Sequence, residues 1–153
     1  MDYSQKYLAN GYKELTIPAG PNNTHVIDKN CLHIWPRGKF MLIALPNLDG
    51  SFTATCFFPF AGENGFDRLD NGTDQEVLDF FAKNFGDALK VMPTLIEDWR
   101  SNPTSALCTV KCFPWSFHDK CVLFGSFFYI VCYFNTSVQA TPDMLSFRFL
   151  DKV

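Results

Sequence analysis

Residues 39–58, KFMLIALPNLDGSFTATCFF, constrain the fold more than any other stretch of the chain. Two runs of strand-forming residues flank an Asn-Leu-Asp-Gly segment, the pattern of a β-hairpin. In the first arm Phe40, Leu42 and Ala44 fall on one side and Met41, Ile43 and Leu45 on the other. With both sides apolar, this arm is expected to be covered on both faces. The second arm sets Phe52, Ala54, Cys56 and Phe58 against Thr53, Thr55 and Phe57, so one of its faces mixes apolar groups with hydroxyls. Such a face suits the lining of a pocket.

The turn decides which faces combine. A two-residue Asp49-Gly50 loop pairs Leu45 with Ala54, whereas a three-residue Leu48-Asp49-Gly50 loop pairs Leu45 with Thr53, Ile43 with Thr55 and Met41 with Phe57. A slip of one residue exchanges every face. The three-residue form is favoured because Gly50 then takes the left-handed position that such loops require. It predicts one surface made of Met41, Ile43, Leu45, Thr53, Thr55 and Phe57.

The other segments fill in an α+β plan. Residues 11–17 alternate as a strand that ends at Pro18-Ala19-Gly20-Pro21, and residues 31–35 form another that turns at Pro36-Arg37-Gly38 into the hairpin. Residues 61–72 read as a polar loop. Thr73-Asp74-Gln75-Glu76 has the spacing of a capping box, with Val77, Leu78, Phe81 and Phe85 at helical spacing behind it and Gly86 as the stop. Pro93 ahead of Leu95, Ile96 and Trp99 predicts a shorter helix, and residues 105–112 and 120–125 return to strand. The expectation is an antiparallel sheet with two helices on one side.

Composition narrows the function classes. The chain has 153 residues, enough for one domain that buries roughly 70% of its unfolded surface. Seventeen phenylalanines imply an aromatic core. A net charge of −3 with scattered Lys and Arg gives no nucleic-acid surface. The first residues lack the pattern of a secretory signal, so the six cysteines are expected as reduced, buried thiols and the Asn-X-Ser/Thr triplets as unmodified. The charge-free run 121–134 is too short to span a membrane as a helix.

No reaction is legible in the spacing of polar residues. Cys108, Cys112, His118 and Cys121 are near in sequence, but Cys108, Val110 and Cys112 alternate along one strand face without a CxxC pair, which favours packed thiols over a metal site. His33 reads as a packed strand residue with no partner that would make it a base. Gly62-Glu63-Asn64-Gly65 lacks the glycine count and strand-to-helix setting of a dinucleotide site.

Several ordered segments nevertheless carry a resemblance. Asp2-Tyr3-Ser4-Gln5, Gly11-Tyr12, Glu14-Leu15-Thr16-Ile17-Pro18, Leu32-His33-Ile34-Trp35-Pro36-Arg37, Ile43-Ala44-Leu45-Pro46-Asn47, Ser51-Phe52-Thr53 and Phe57-Phe58-Pro59-Phe60 resemble the middle segment of the kynurenine 3-monooxygenase family, as do Asp79-Phe80-Phe81, Asp87-Ala88 and residues 121–125. The resemblance implies the substrate domain of an FAD-dependent aromatic hydroxylase that uses NADPH and dioxygen to convert L-kynurenine to 3-hydroxykynurenine. Position by position it implies that Leu32, Ile43, Leu45, Thr55 and Phe57 face the substrate. Full-length eukaryotic members lie at the mitochondrial outer membrane; no anchor is evident here, which implies a cytoplasmic chain if it is expressed as written.

The match also breaks. The family's Gly-rich FAD half has no counterpart here, and after residue 125 the family continues with an aspartate and an Ala-Ala-His stretch where this chain has Ser126-Phe127-Phe128-Tyr129-Ile130. The expected organisation is a substrate-domain-like segment over residues 1–125 and an unrelated tail over 126–153, from altered splicing or unspliced sequence. Such a chain is a truncated hydroxylase, inactive alone and binding neither FAD nor NADPH by itself, that self-associates through its exposed sheet face. The alternative is a cofactor-free module that binds an aromatic ligand or a partner protein.

Overall fold

The computed structural model describes residues 2–117, 121–122 and 147–150. They fall into two compact units, which are taken separately: a larger one over residues 9–106, and a smaller one from residues 2–8 and the described residues from 107 onward. Strands β1 (Asp2–Ile17) and β5 (Ser105–Phe113) each contribute to both.

The larger unit is α+β. Strands β2 (His33–Arg37), β3 (Phe40–Pro46) and β4 (Phe52–Pro59) form a meander, and β1 pairs antiparallel with β4, in the order β2-β3-β4-β1. The predicted antiparallel sheet is therefore present. One face of this sheet presents Leu15, Ile17, Leu42, Ala44, Phe52, Ala54, Cys56 and Phe58 to the core. Helices α1 (Phe66–Asn71), α2 (Asp74–Leu89) and α3 (Leu95–Ser101) cover it with Phe66, Leu69, Val77, Phe81, Phe85, Leu95 and Trp99.

The hairpin register is the one that a three-residue loop requires. Leu45 pairs with Thr53, Ile43 with Thr55 and Met41 with Phe57. Gly50 has φ +89°, and its N–H donates to the Asn47 carbonyl at 3.3 Å, while the Asp49 carboxylate accepts from the Ser51 N–H at 3.0 Å. A Cβ on Gly50 would collide with the Asn23 backbone. Gly50→Ala therefore combines a left-handed backbone with a steric clash and is expected to cost about 1–3 kcal/mol, read as a lowered urea midpoint.

Three local expectations are corrected. The β3 arm is covered on one face only: Phe40, Leu42 and Ala44 are buried, but Met41 is 36% and Leu45 45% exposed. Apolar side chains on both faces of a strand do not by themselves bring a second covering layer. Residues 66–71, read as loop, are helical: Phe66 and Leu69, three apart, anchor the short turn in the core. Gly65 immediately precedes this helix, so the Gly62–Gly65 loop does run from strand to helix, although the sheet is antiparallel.

The capping box is formed. Thr73 Oγ1 accepts from the Glu76 N–H, and the Glu76 carboxylate accepts from the Thr73 N–H at 2.7 Å, which holds its carboxyl below the usual range. Helix α2 does not stop at Gly86; it breaks geometry at Phe85 (φ −136°, ψ 40°) and runs on to Leu89. Strand β2 clasps this kink. Arg37 Nε donates to the Asn84 carbonyl at 2.7 Å, and Trp35 Nε1 donates to Asp87 Oδ2 at 2.7 Å, lowering the Asp87 pKa.

One buried charge crosses the core. Lys13, only 4% exposed, donates through Nζ to Asp70 Oδ1 at 3.0 Å and to the Trp99 carbonyl at 2.9 Å, with Nζ 4.6 Å from the Trp99 ring centroid. The other Asp70 oxygen accepts from Thr104 Oγ1. Nearby, Asp98 Oδ2 accepts from the Thr16 N–H at 2.7 Å and Asn102 Nδ2 donates to the Glu14 carbonyl at 2.8 Å, so side chains occupy backbone groups of β1 where another strand would pair.

In the smaller unit β5 pairs antiparallel with β8 (Phe147–Leu150), and β6 (Ser116–Phe117) pairs with β7 (Cys121–Val122). Most of the expected strand at 120–125, the charge-free run 121–134 and most of the tail 126–153 lie outside the described residues. Among the described residues no helix is long and apolar enough to cross a membrane.

Candidate functional site

The helices cover one face of the larger unit's sheet. Strand alternation assigns the side chains of the other face, and the registers set them side by side. Tyr12, Glu14 and Thr16 of β1 lie opposite Phe57, Thr55 and Thr53 of β4; those lie opposite Met41, Ile43 and Leu45 of β3; and Ile34 of β2 lies opposite Ile43. The surface is an apolar strip, Ile34, Met41, Ile43, Leu45 and Phe57, that grades into hydroxyls and one carboxylate toward β1.

Four of the five residues singled out in the sequence, Ile43, Leu45, Thr55 and Phe57, are neighbours on this face. Leu32 stands one residue before β2, 52% exposed, where a continued register would set it beside Leu45. Tyr12, Glu14 and Ile34 were missed as members. The alternation of β1 was legible, but its partner strand was not, and only the register with β4 assigns Tyr12 and Glu14 to this face.

The polar groups differ in how they are held. Thr53 is fixed by Asn47, whose Nδ2 donates to Thr53 Oγ1 at 3.2 Å. Thr55 is 8% exposed, and its hydroxyl has no hydrogen bond among the described residues; nor has the carboxylate of half-buried Glu14 directly opposite. Tyr12 is 4% exposed, its ring centroid 6.4 Å from that of Phe57. Among the described residues this face presents no Lys or Arg.

The remaining candidates serve the fold. His33 stacks on Trp35 with ring centroids 5.9 Å apart, meets Phe52 edge-on and bonds through Nε2 to the Asp28 carbonyl, as a packed histidine does. Cys56 and Cys108 are buried, and burial pushes the Cys56 thiol up to about 12. Cys31 departs from the expected burial: it is exposed and donates from Sγ to Asp28, which raises its pKa. His118 and the side chain of Cys121 lie outside the described residues. A cavity of about 240 Å³ lies on the helical side, lined by charged groups that include Arg68, Glu76, Asp79 and Lys83, and does not reach the open face.

These residues do not fit a dinucleotide. The Gly62–Gly65 loop opens onto a six-residue helix, and the space a Cβ on Gly65 would enter is already taken by Asp67 Oδ1 and the Ala61 backbone. An acidic group there opposes a pyrophosphate.

No protein-family model matches the sequence. Curated proteins do. The chain is 58% identical to the kynurenine 3-monooxygenase of Flavobacterium johnsoniae over 125 residues, 81% of this chain and 27% of that protein. It is 60% identical to the enzyme of that name from Dictyostelium discoideum over 124 residues, 81% of the chain and 26% of the relative, and 45% identical to that from Sus scrofa over 126 residues, again 81% and 26%. The chain thus spans about a quarter of the length of the curated relatives it matches.

Proposed function

This chain is a partial relative of the kynurenine 3-monooxygenases, and we propose that its open sheet face is the substrate-facing wall of a flavin-dependent hydroxylase acting on L-kynurenine. Ile43, Leu45, Thr55 and Phe57, with Leu32 at the rim, are the residues assigned to substrate contact. The observation that carries this reading is their convergence on the sheet face that the helices do not cover, which presents an apolar strip wide enough for an aromatic ring beside hydroxyl groups.

FAD, reduced by NADPH, would supply the oxygen chemistry from protein beyond these residues, one oxygen atom of dioxygen entering the ring and the other leaving as water. The residues described here orient the ring and keep water from it. Without the flavin-binding part the 153 residues do not turn over. Residues 1–125 carry the substrate-domain function and 126–153 do not share it. When nothing covers the face, a second copy of the chain is its expected occupant.

Calorimetric titration with L-kynurenine tests the reading, with sedimentation recorded in parallel. Leu45 is 45% exposed, so Leu45→Asp leaves the core intact and is expected to weaken kynurenine binding at least tenfold and to shift any self-association toward monomer. Leu48→Asp, at the exposed loop tip, changes neither. Absence of kynurenine binding in the unaltered chain, or equal binding by both variants, overturns the assignment. Stoichiometric FAD binding by the chain overturns the placement of the flavin site elsewhere. A cofactor-free module is supported if a range of aromatic ligands bind as well as kynurenine.

A further inference from the structure

We infer that Glu14 and Thr55 together form an amine-recognising edge of the open face, which makes Glu14 a specificity-determining residue for aromatic amines. The inference rests on the reading of this face as the substrate wall. The two residues are directly opposed across β1 and β4. Thr55 is 8% exposed and Glu14 half-buried, yet neither side chain has a hydrogen bond or ion pair among the described residues.

Other sequestered polar groups nearby do have partners. Lys13, the next residue to Glu14, is satisfied by Asp70 and the Trp99 carbonyl, and Thr53, two residues from Thr55, by Asn47. A half-buried carboxylate left without a donor is costly, and an ionised carboxylate only accepts. Its missing partner is therefore an N–H or O–H donor brought by the ligand.

Position selects the donor further. On the β3 side of Thr55 the face is apolar, with Ile43 directly opposite and Phe57 two residues along β4. A flat ring lying on Ile43 and Phe57 directs a ring substituent toward Glu14 and Thr55. An aryl amine has two N–H bonds, one for each acceptor, and is compact enough to remain at the ring edge. A site built to bind such a group discriminates strongly against an analogue that lacks it, because the unpaired acceptors then remain desolvated.

The test compares L-kynurenine with the analogue lacking only the ring amine, titrated against the unaltered chain and Glu14→Gln. The unaltered chain is expected to prefer the amine-bearing ligand by about tenfold or more, and Glu14→Gln, which keeps only neutral acceptors at this edge, to reduce that ratio by about threefold or more while thermal stability stays unchanged, since Glu14 has no partner within the described fold. An unchanged preference in Glu14→Gln overturns the role of Glu14 and leaves the substrate wall standing. Equal loss of both ligands also overturns it, by showing a general effect on the face. If the unaltered chain binds neither ligand, the substrate-wall reading fails, and this inference with it.

Discussion

Asp70→Asn is expected to lower the stability of the chain by about 3 kcal/mol, toward the lower end of the range for stranding a buried charge because water reaches Asp70. Lys13 is 4% exposed, whereas the Asp70 side chain is 35% exposed. Removal of the negative charge leaves an ammonium group in the core without its counter-ion, beside the Trp99 carbonyl and ring. The amide's single acceptor oxygen can serve either Lys13 or Thr104, so one of the two also loses its hydrogen bond. Lys13→Met is expected to cost less, because the carboxylate it leaves behind is partly hydrated, and the double variant should be more stable than Asp70→Asn alone. Urea denaturation of the four proteins gives the coupling directly. Additive losses would show that the ion pair does not hold β1 to α1 and α3.

The second large effect is expected at Phe58. Its ring meets Phe40 edge-on at 5.4 Å, stacks on Phe66 at 5.3 Å and on Phe85 at 6.1 Å, and lies 6.2 Å from Trp99. It thus joins β3, α1, α2 and α3 through one side chain. Phe58→Ala removes these contacts and leaves a cavity that rigid neighbours cannot close, for an expected loss of about 3–5 kcal/mol. Against a total stability of about 5–15 kcal/mol, that loss removes between about a fifth and all of the folding margin. Phe58→Leu keeps most of the volume and is expected to lose less than half as much. Near-UV circular dichroism and urea midpoints distinguish these outcomes; a Phe58→Ala protein as stable as its parent would show that the core is not organised around this ring.

The elements that were legible in the sequence carried their own local chemistry. Gly50 revealed the hairpin register because one left-handed residue is compatible with only one of the two loops, and Thr73 with Glu76 announced α2 through reciprocal hydrogen bonds three residues apart. Four of the five residues that the family resemblance singled out lie on the face that this register predicts. The remainder depended on pairings between distant segments. Glu14 and Tyr12 join the open face only through the β1–β4 register, and the buried Lys13 has its partners in α1 and α3, 57 and 86 residues away. Helix α1 was hidden because Asp-Arg-Leu-Asp-Asn resembles loop composition, and its anchor Phe66 has meaning only against Phe58 and Trp99. The two apolar faces of β3 were legible; which one the helices would cover, and that the other would stay open, was not.

Asp98 and Asn102 have a consequence for association as well as for folding. By occupying the Thr16 N–H and the Glu14 carbonyl, they leave that stretch of β1 no free ladder for an incoming strand. At the β2 margin of the sheet, Pro36 has no N–H to offer. Strand addition is thus hindered along both of these stretches, which steers encounters between molecules away from edge-to-edge stacking there and toward the sheet's open face.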